Sequence, residues 1–263
     1  MRAPRDTLWV WVAAGALALA GCAATGDETQ DYPSVTESAV STSNGLGVIN
    51  GLGVTNGLGV TNGLGVTNGL ATTGLSSGAG LMTTAAGRTT VAYLVRCALP
   101  AGASITKKDQ YGNSYVFAGL LGFAPQWATS SCDDHCQEYV SACMIAHINT
   151  AGVHVPLWIV AMAPGVGWGL NSQYPHQEGS FFGNIFVSPP KAYYCNGRDF
   201  DQGVVPGRIG ANQTGAPYRD PYDLGWWKDS YCADNCTAAD YPNSASGYKA
   251  CSGYNNVVTV FRQ

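Results

Sequence analysis

Charged residues are scarce in this chain. Lysine and arginine number 13, aspartate and glutamate 17, and together they make up 11% of the 263 residues. There is no basic run, and the adjacent Lys107 and Lys108 are expected to lie in a solvated turn. The composition therefore predicts no nucleic-acid partner. An anionic membrane surface has no better support, since the formal net charge is −4.

Long hydrophobic runs are lacking as well. The apolar stretch at residues 8–20 is too short for a membrane-spanning helix with proper flanks. It follows Arg2 and Arg5 and ends in Leu19-Ala20-Gly21-Cys22. An export signal typically has a charged region, then a short apolar region, then small residues, which here precede Cys22.

The sequence Leu19-Ala20-Gly21-Cys22 resembles the lipobox of bacterial lipoprotein precursors. The resemblance implies that residues 1–21 are a signal peptide and that Cys22 becomes an acylated N-terminus, anchored in a membrane by several chains. Position 23 is Ala and not the Asp that marks retention in the inner membrane, which favours the outer membrane or cell surface. An ordinary signal peptide or a chance apolar start is the alternative.

Residues 22–90 are rich in Gly, Ser, Thr and Asn, with copies of Asn-Gly-Leu-Gly-Val-Thr beginning at Asn50, Asn56 and Asn62. A period of six is also found in left-handed β-helices, but about thirty residues would complete fewer than two coils. We interpret the segment as a disordered tether with a reach of about 45 Å. Such repeats resemble those of uncharacterised bacterial surface lipoproteins, a resemblance that implies no activity.

Residues 91–263 are predicted to form a small disulfide-stapled α+β domain, with a mostly antiparallel sheet and one main helix at about 131–150. Pro156 predicts an edge or a bulge in the third strand. Residues 196–254 show no regular period, and disulfides are expected to order them. The β-rich runs are 91–96, 114–121, 153–162, 181–187, 191–195 and 256–262.

The segment 131–152 is predicted to be an amphipathic helix, with Ser131 and Asp134 as a capping box and Gly152 just beyond its end. Gln137, Glu138 and Ser141 are expected on the outer face. The inner face is expected to carry Cys132, Cys136, Tyr139, Val140, Cys143, Met144 and His147.

The cysteines indicate an exported, cross-linked domain. With Cys22 assigned to lipid, an even number remains, and these allow 105 connectivities. A bond from Cys143 to Cys97 is the first choice. The competing scheme is a local disulfide within each C-x3-C pair, and it requires Cys132 to lie outside the helix. Zinc is a weaker interpretation of these pairs, and no cofactor is predicted. The eight are Cys97, Cys132, Cys136, Cys143, Cys195, Cys232, Cys236 and Cys251.

Catalytic candidates are few. His147 lies four residues after Cys143, so the two could form a thiol–imidazole dyad; the alternative is a bridged cysteine beside a core histidine bonded to backbone. His176 and Glu178 could act as a base and its partner. The G-x-S-x-G match at residues 74–78 lies in the tether and is interpreted as chance. The pattern Asp199-x-Asp201-x-Gly203 resembles a calcium loop only superficially.

Aromatic residues in the loops are the strongest indication of a binding surface, although packing in a small core is the alternative. The leading hypothesis is a lipid-anchored binding or structural module that contacts carbohydrate or a surface protein. The alternatives are an extracytoplasmic hydrolase that uses a histidine with a nearby carboxylate or thiol, and an envelope spacer without a ligand. The candidate ligand contacts are Trp168, Tyr174, Trp226, Trp227 and Tyr231.

Overall fold

The computed structural model of the protein describes residues 40–44, 46–47, 64–149, 155–163, 165–188, 190–200, 202 and 231–263. All of these belong to the unit Val35–Gln263. The predicted signal peptide, Cys22, most of the hexapeptide repeats, Gly152, Trp226 and Trp227 lie outside the described residues.

The fold is α+β with a mostly antiparallel sheet, as predicted. The strands are β1 (Val40–Asn44), β2 (Leu46–Gly47), β3 (Ser104–Lys108), β4 (Ser114–Ala118), β5 (Ile148–Asn149), β6 (Val155–Ala161), β7 (His176–Asn184), β8 (Lys191–Asn196), β9 (Cys236–Ala238), β10 (Tyr248–Cys251) and β11 (Val258–Arg262). The largest sheet has the order β1-β6-β11-β7-β8, and each neighbouring pair is antiparallel. Five of the six predicted β-rich runs overlap these strands.

The remaining run, 91–96, is wrong as a strand because it lies inside helix α1 (Ala85–Ala98). Residues 93–98 are all buried, so the run is enclosed on most sides and shows neither the alternation of a half-buried strand nor a single apolar face. Thr84 Oγ1 accepts a hydrogen bond from Gly87 N at 3.0 Å and caps the helix. The fold therefore has a second long helix that the β-branched composition concealed.

Helix α2 (Asp134–Ala146) is the predicted main helix, but its start differs. Asp133 is the N-cap, and its Oδ1 accepts a hydrogen bond from Cys136 N at 2.9 Å. The proposed capping box of Ser131 and Asp134 is therefore wrong, because a better-placed carboxylate caps the helix.

The faces of α2 are only partly as predicted. Cys136, Val140, Cys143 and Met144 are buried, but so are Gln137 and Ser141, which were expected on the outer face. The end of β7 packs over these two side chains and satisfies them. Asn184 Nδ2 donates to Gln137 Oε1 at 3.1 Å, and Ile185 N donates to Ser141 Oγ at 2.9 Å.

The main core begins earlier in the chain than the predicted domain boundary. The tether interpretation is wrong for residues 64–90, because this segment packs into the core and leads into α1. It is also wrong for residues 40–44 and 46–47, because these form strands that pair with β6 and β5. Lys107 was also misassigned, since it lies in β3 and is buried, not in a solvated turn. The early core residues are Leu64, Leu70, Leu75, Leu81 and Met82.

Strand β6 is an interior strand with a partly unpaired end. It lies between β1 and β11, so it is not an edge strand as Pro156 had suggested. Its pairing with β11 covers Trp158 to Ala161, whereas Pro156 is opposite Ser43 of β1. Pro156 therefore lies outside the part of β6 that pairs with both β1 and β11, so its missing backbone N–H does not interrupt the pairing with β11.

The largest sheet is covered on both faces. Leu157, Ile159 and Ala161 of β6 belong to the main core with α1 and α2. The alternate residues Trp158 and Val160 belong to a second cluster, which the chain after β6 covers. Farther along the same face, the segment 231–257 covers Phe182 and Cys195 with two disulfides.

Within the described residues, none of the helices combines the length and apolar character needed to cross a membrane.

Candidate functional site

Four disulfides pair all eight cysteines that follow residue 90. Cys97–Cys143 joins α1 to α2 and confirms the first choice from sequence. Local closure occurs at the first C-x3-C pair, because Cys132 precedes the helix, but not at the second. The other bonds are Cys132–Cys136, Cys195–Cys232 and Cys236–Cys251.

Two groups of potential metal ligands coincide with these disulfides. Cys97, Cys143 and His147 form one group, and Cys195, Cys232 and Cys236 form the other, each with ligand atoms within 4.8 Å of one another. A metal site needs deprotonated thiols. Because every one of these sulfurs is in a disulfide, the oxidised protein has no thiolate to offer at either place.

His147 has the structural role that the sequence left as an alternative. Its side chain is buried, and Nδ1 lies 2.8 Å from the Cys143 carbonyl oxygen. The sulfur of Cys143 is 3.8 Å away but is bonded to Cys97. The thiol–imidazole dyad is therefore not formed.

His176 and Glu178 lie at the start of β7, where the pairing with β11 is irregular. The register shifts between Val260, opposite Gly179, and Phe261, opposite Gln177. This bulge interrupts the alternation that would place His176 and Glu178 on one face. Glu178 is completely buried, whereas His176 is partly exposed.

Asp199 has a local structural role. Its Oδ2 accepts hydrogen bonds from Gln177 N at 3.0 Å and from Arg198 Nε at 2.9 Å. These contacts attach the segment after β8 to the start of β7. Asp201, the other half of the superficial calcium motif, is outside the described residues.

The predicted ligand aromatics separate into two groups. Tyr174 is 7% exposed and stacks on Trp158 with ring centroids 6.1 Å apart, and Trp168 packs against the same cluster. Tyr231 is 47% exposed and touches Phe200 edge-on at 5.6 Å. Burial thus gives Tyr174 a packing role, while about half of Tyr231 remains exposed to solvent.

A polar cluster that the sequence did not predict lies where α2 meets the start of β11. Asn256 is 3% exposed, and its Oδ1 lies 3.0 Å from His135 Nδ1. Its Nδ2 donates to Glu138 Oε2 at 2.5 Å. His135 and Glu138 are three residues apart on the first turns of α2, so both reach the same amide.

The hydrogen-bond pattern defines the orientation of His135. A carboxylate only accepts hydrogen bonds, so the Asn256 nitrogen must face Glu138 and its oxygen must face His135. His135 Nδ1 therefore donates this hydrogen bond. The side chain of His135 is exposed, and no described residue forms a hydrogen bond with its other ring nitrogen, Nε2.

Tyr254, two residues before Asn256, packs with two other aromatic rings. Tyr193 and Tyr254 have ring centroids 5.6 Å apart, and both pack on the buried ring of Phe182, at 5.6 Å and 5.9 Å. Burial, reinforced by Tyr193 and by the charge of Glu138, raises the pKa of Tyr254 to about 12. Burial and the same carboxylate raise the pKa of Tyr139 to about 12. Both hydroxyls therefore stay protonated at neutral pH.

A tight turn positions Tyr254. Cys251 and Tyr254 exchange two backbone hydrogen bonds of 2.9 Å. Ser252 and Gly253 between them have φ values of 48° and 85°, as a two-residue hairpin turn requires. The Cys236–Cys251 disulfide holds one end of the turn. We call the surface formed by His135, Glu138, Tyr193, Tyr254 and Asn256 the α2–β11 patch.

Comparison of the chain with protein families, with curated proteins and with solved structures finds no match.

Proposed function

We propose that the protein is an exported, lipid-anchored binding module of the cell envelope. Cys22 carries the acyl chains, residues 23–39 link it to strand β1 of the folded part, and the partner is a polysaccharide or another surface protein. The site of action in this proposal is the outer membrane or the cell surface.

The disulfides are the observation that carries this proposal. All eight cysteines after residue 90 are paired, in bonds that span both long helices and the segment after β8. Disulfides of this density persist in oxidising compartments and are rare in the cytosol. This agrees with the export signal that the lipobox resemblance implies.

Rigidity supports a binding role. Two of the disulfides lie against Phe182 and Val257 beneath the tyrosines of the α2–β11 patch. A surface whose side chains are already ordered loses less entropy when a partner binds. Four further aromatic residues are proposed to contact the partner: Tyr231, which is exposed, Trp168, Trp226 and Trp227.

The test is intact-mass analysis and non-reducing peptide mapping of the protein extracted from native membranes. We expect an acylated Cys22 as the first residue and peptides linked by the four disulfides described above. An unmodified N-terminus would overturn the anchoring, and free thiols at the eight positions would overturn export to an oxidising compartment. A Cys22→Ala variant, which cannot be acylated, is the matched control for membrane association.

A further inference from the structure

We propose that the α2–β11 patch is a binding subsite for a neutral oligosaccharide. This inference rests on the proposed binding function and names its ligand class. The ring of Tyr254 supplies the apolar contact, and Glu138 with His135 supplies the polar contacts.

The apolar contact is the ring of Tyr254, which neighbouring aromatic rings hold in place. Tyr254 is partly exposed, while Phe182 beneath it is completely buried and Tyr193 lies at its side. Packing on two sides holds the ring in one orientation. A tyrosine in this state offers a large flat surface with little conformational entropy to lose, which suits the C–H face of a sugar ring.

The polar contacts are oriented before any ligand arrives. Asn256 is buried and bonds to both His135 and Glu138, so it holds the two side chains at a defined separation. Each keeps a polar atom, Nε2 of His135 and Oε1 of Glu138, for which the described residues supply no hydrogen-bond partner. A hydroxyl group both donates and accepts, so an imidazole nitrogen and a carboxylate oxygen held by the same amide match a ligand that presents several hydroxyl groups.

Charge and spacing distinguish the ligand class. The carboxylate of Glu138 disfavours acidic sugars, because two like charges repel at short range. A quaternary ammonium ion would need space between the rings, but Tyr193 and Tyr254 are in contact, with centroids 5.6 Å apart. A neutral, hydroxyl-rich ligand is therefore favoured over an anion or a caged cation.

The experiment uses the purified, oxidised full chain titrated with cellotetraose and chitotetraose, followed by calorimetry and by chemical shifts of the Asn256 side-chain amide. We expect saturable binding to at least one of the two. Glu138→Gln retains an acceptor for Asn256 but lacks the charge, and we expect about tenfold weaker binding. Tyr254→Ala should weaken binding at least as much, whereas Tyr254→Phe, which keeps the ring, should bind within about threefold of the wild type.

The control is Tyr111→Ala, which removes an 81% exposed tyrosine from the β3–β4 hairpin, and its affinity should be unchanged. Circular dichroism and the disulfide map establish that each variant is folded. No saturable binding of either neutral oligosaccharide, or tighter binding of tetragalacturonate, would overturn the inference. So would binding that Glu138→Gln and Tyr254→Ala leave unchanged, although that result would preserve the proposed binding module with a different contact surface.

Discussion

The ammonium group of Lys107 shows how this chain places one of its few charges inside the fold. Nζ donates to the carbonyl oxygens of Thr72 and Leu75, both at 2.7 Å. Burial lowers the pKa of Lys107, and the two hydrogen bonds compensate for the lost hydration. The side chain thereby ties the segment before α1 to strand β3.

Lys107→Met is expected to lower the free energy of unfolding by about 1–3 kcal/mol, because it leaves two inward-facing carbonyl groups without a donor. Lys108→Met is the matched control. This neighbour has an exposed side chain in the same strand, and its loss should change stability by less than about 0.5 kcal/mol. Urea unfolding of both variants measures the difference. Equal losses would show that the contacts of Lys107 with Thr72 and Leu75 do not stabilise the fold.

The second residue-scale feature is the amide of Asn256. It bonds to His135 across 121 positions of sequence and to Glu138 across 118. The spacing of His135 and Glu138 could be read from the predicted helix, since residues three apart share a face. Nothing local in the sequence marks Asn256 as their partner, because only the packing of β11 against the helices brings it there.

At the scale of elements, α1 depends on a close approach at its first turn. An added Cβ at Gly87 would lie 2.1 Å from the carbonyl oxygen of Leu81. The short 3-10 helix Gly80–Thr83 therefore packs directly on the helix backbone. Glycine is needed here for space, although it is a poor helix former.

Gly87→Ala is expected to destabilise the protein by about 1–3 kcal/mol, since the clash with backbone outweighs the better helix propensity. Thr89→Ala, two residues along the same helix, also improves propensity but meets no such obstacle, and we expect a change of less than about 0.5 kcal/mol. Thermal melting followed by circular dichroism at 222 nm compares them. A Gly87→Ala variant more stable than the wild type would contradict the close packing.

At the scale of the whole molecule, the disulfides differ in how much chain they constrain. Cys97–Cys143 closes 46 positions and joins two helices, whereas Cys132–Cys136 closes only 4. All four of these cysteines are buried, so replacement by alanine leaves similar cavities. The difference in stability lost on removing each bond therefore comes mainly from how strongly that bond restricts the unfolded chain.

Replacing both cysteines of a bond by alanine is expected to cost about 4 kcal/mol for Cys97–Cys143 and about 2 kcal/mol for Cys132–Cys136, from the loop-closure entropy of the two spans. Urea unfolding under non-reducing conditions measures both double variants against the wild type. The reverse order, with the larger loss for Cys132–Cys136, would show that the short loop matters through native contacts instead.

Local patterns in the sequence determined the α+β class, five of the strand runs and the existence of α2. These follow from periodicity and side-chain chemistry within short segments, which need no knowledge of distant residues. The tertiary structure decided the rest. The run 91–96 became helical in a helix that packs against α2 and strand β4, and Gln137 and Ser141 became buried because β7 ends against them. The α2–β11 patch exists only after β11 joins the sheet, since residues so distant in sequence meet through long-range packing and not through any local preference.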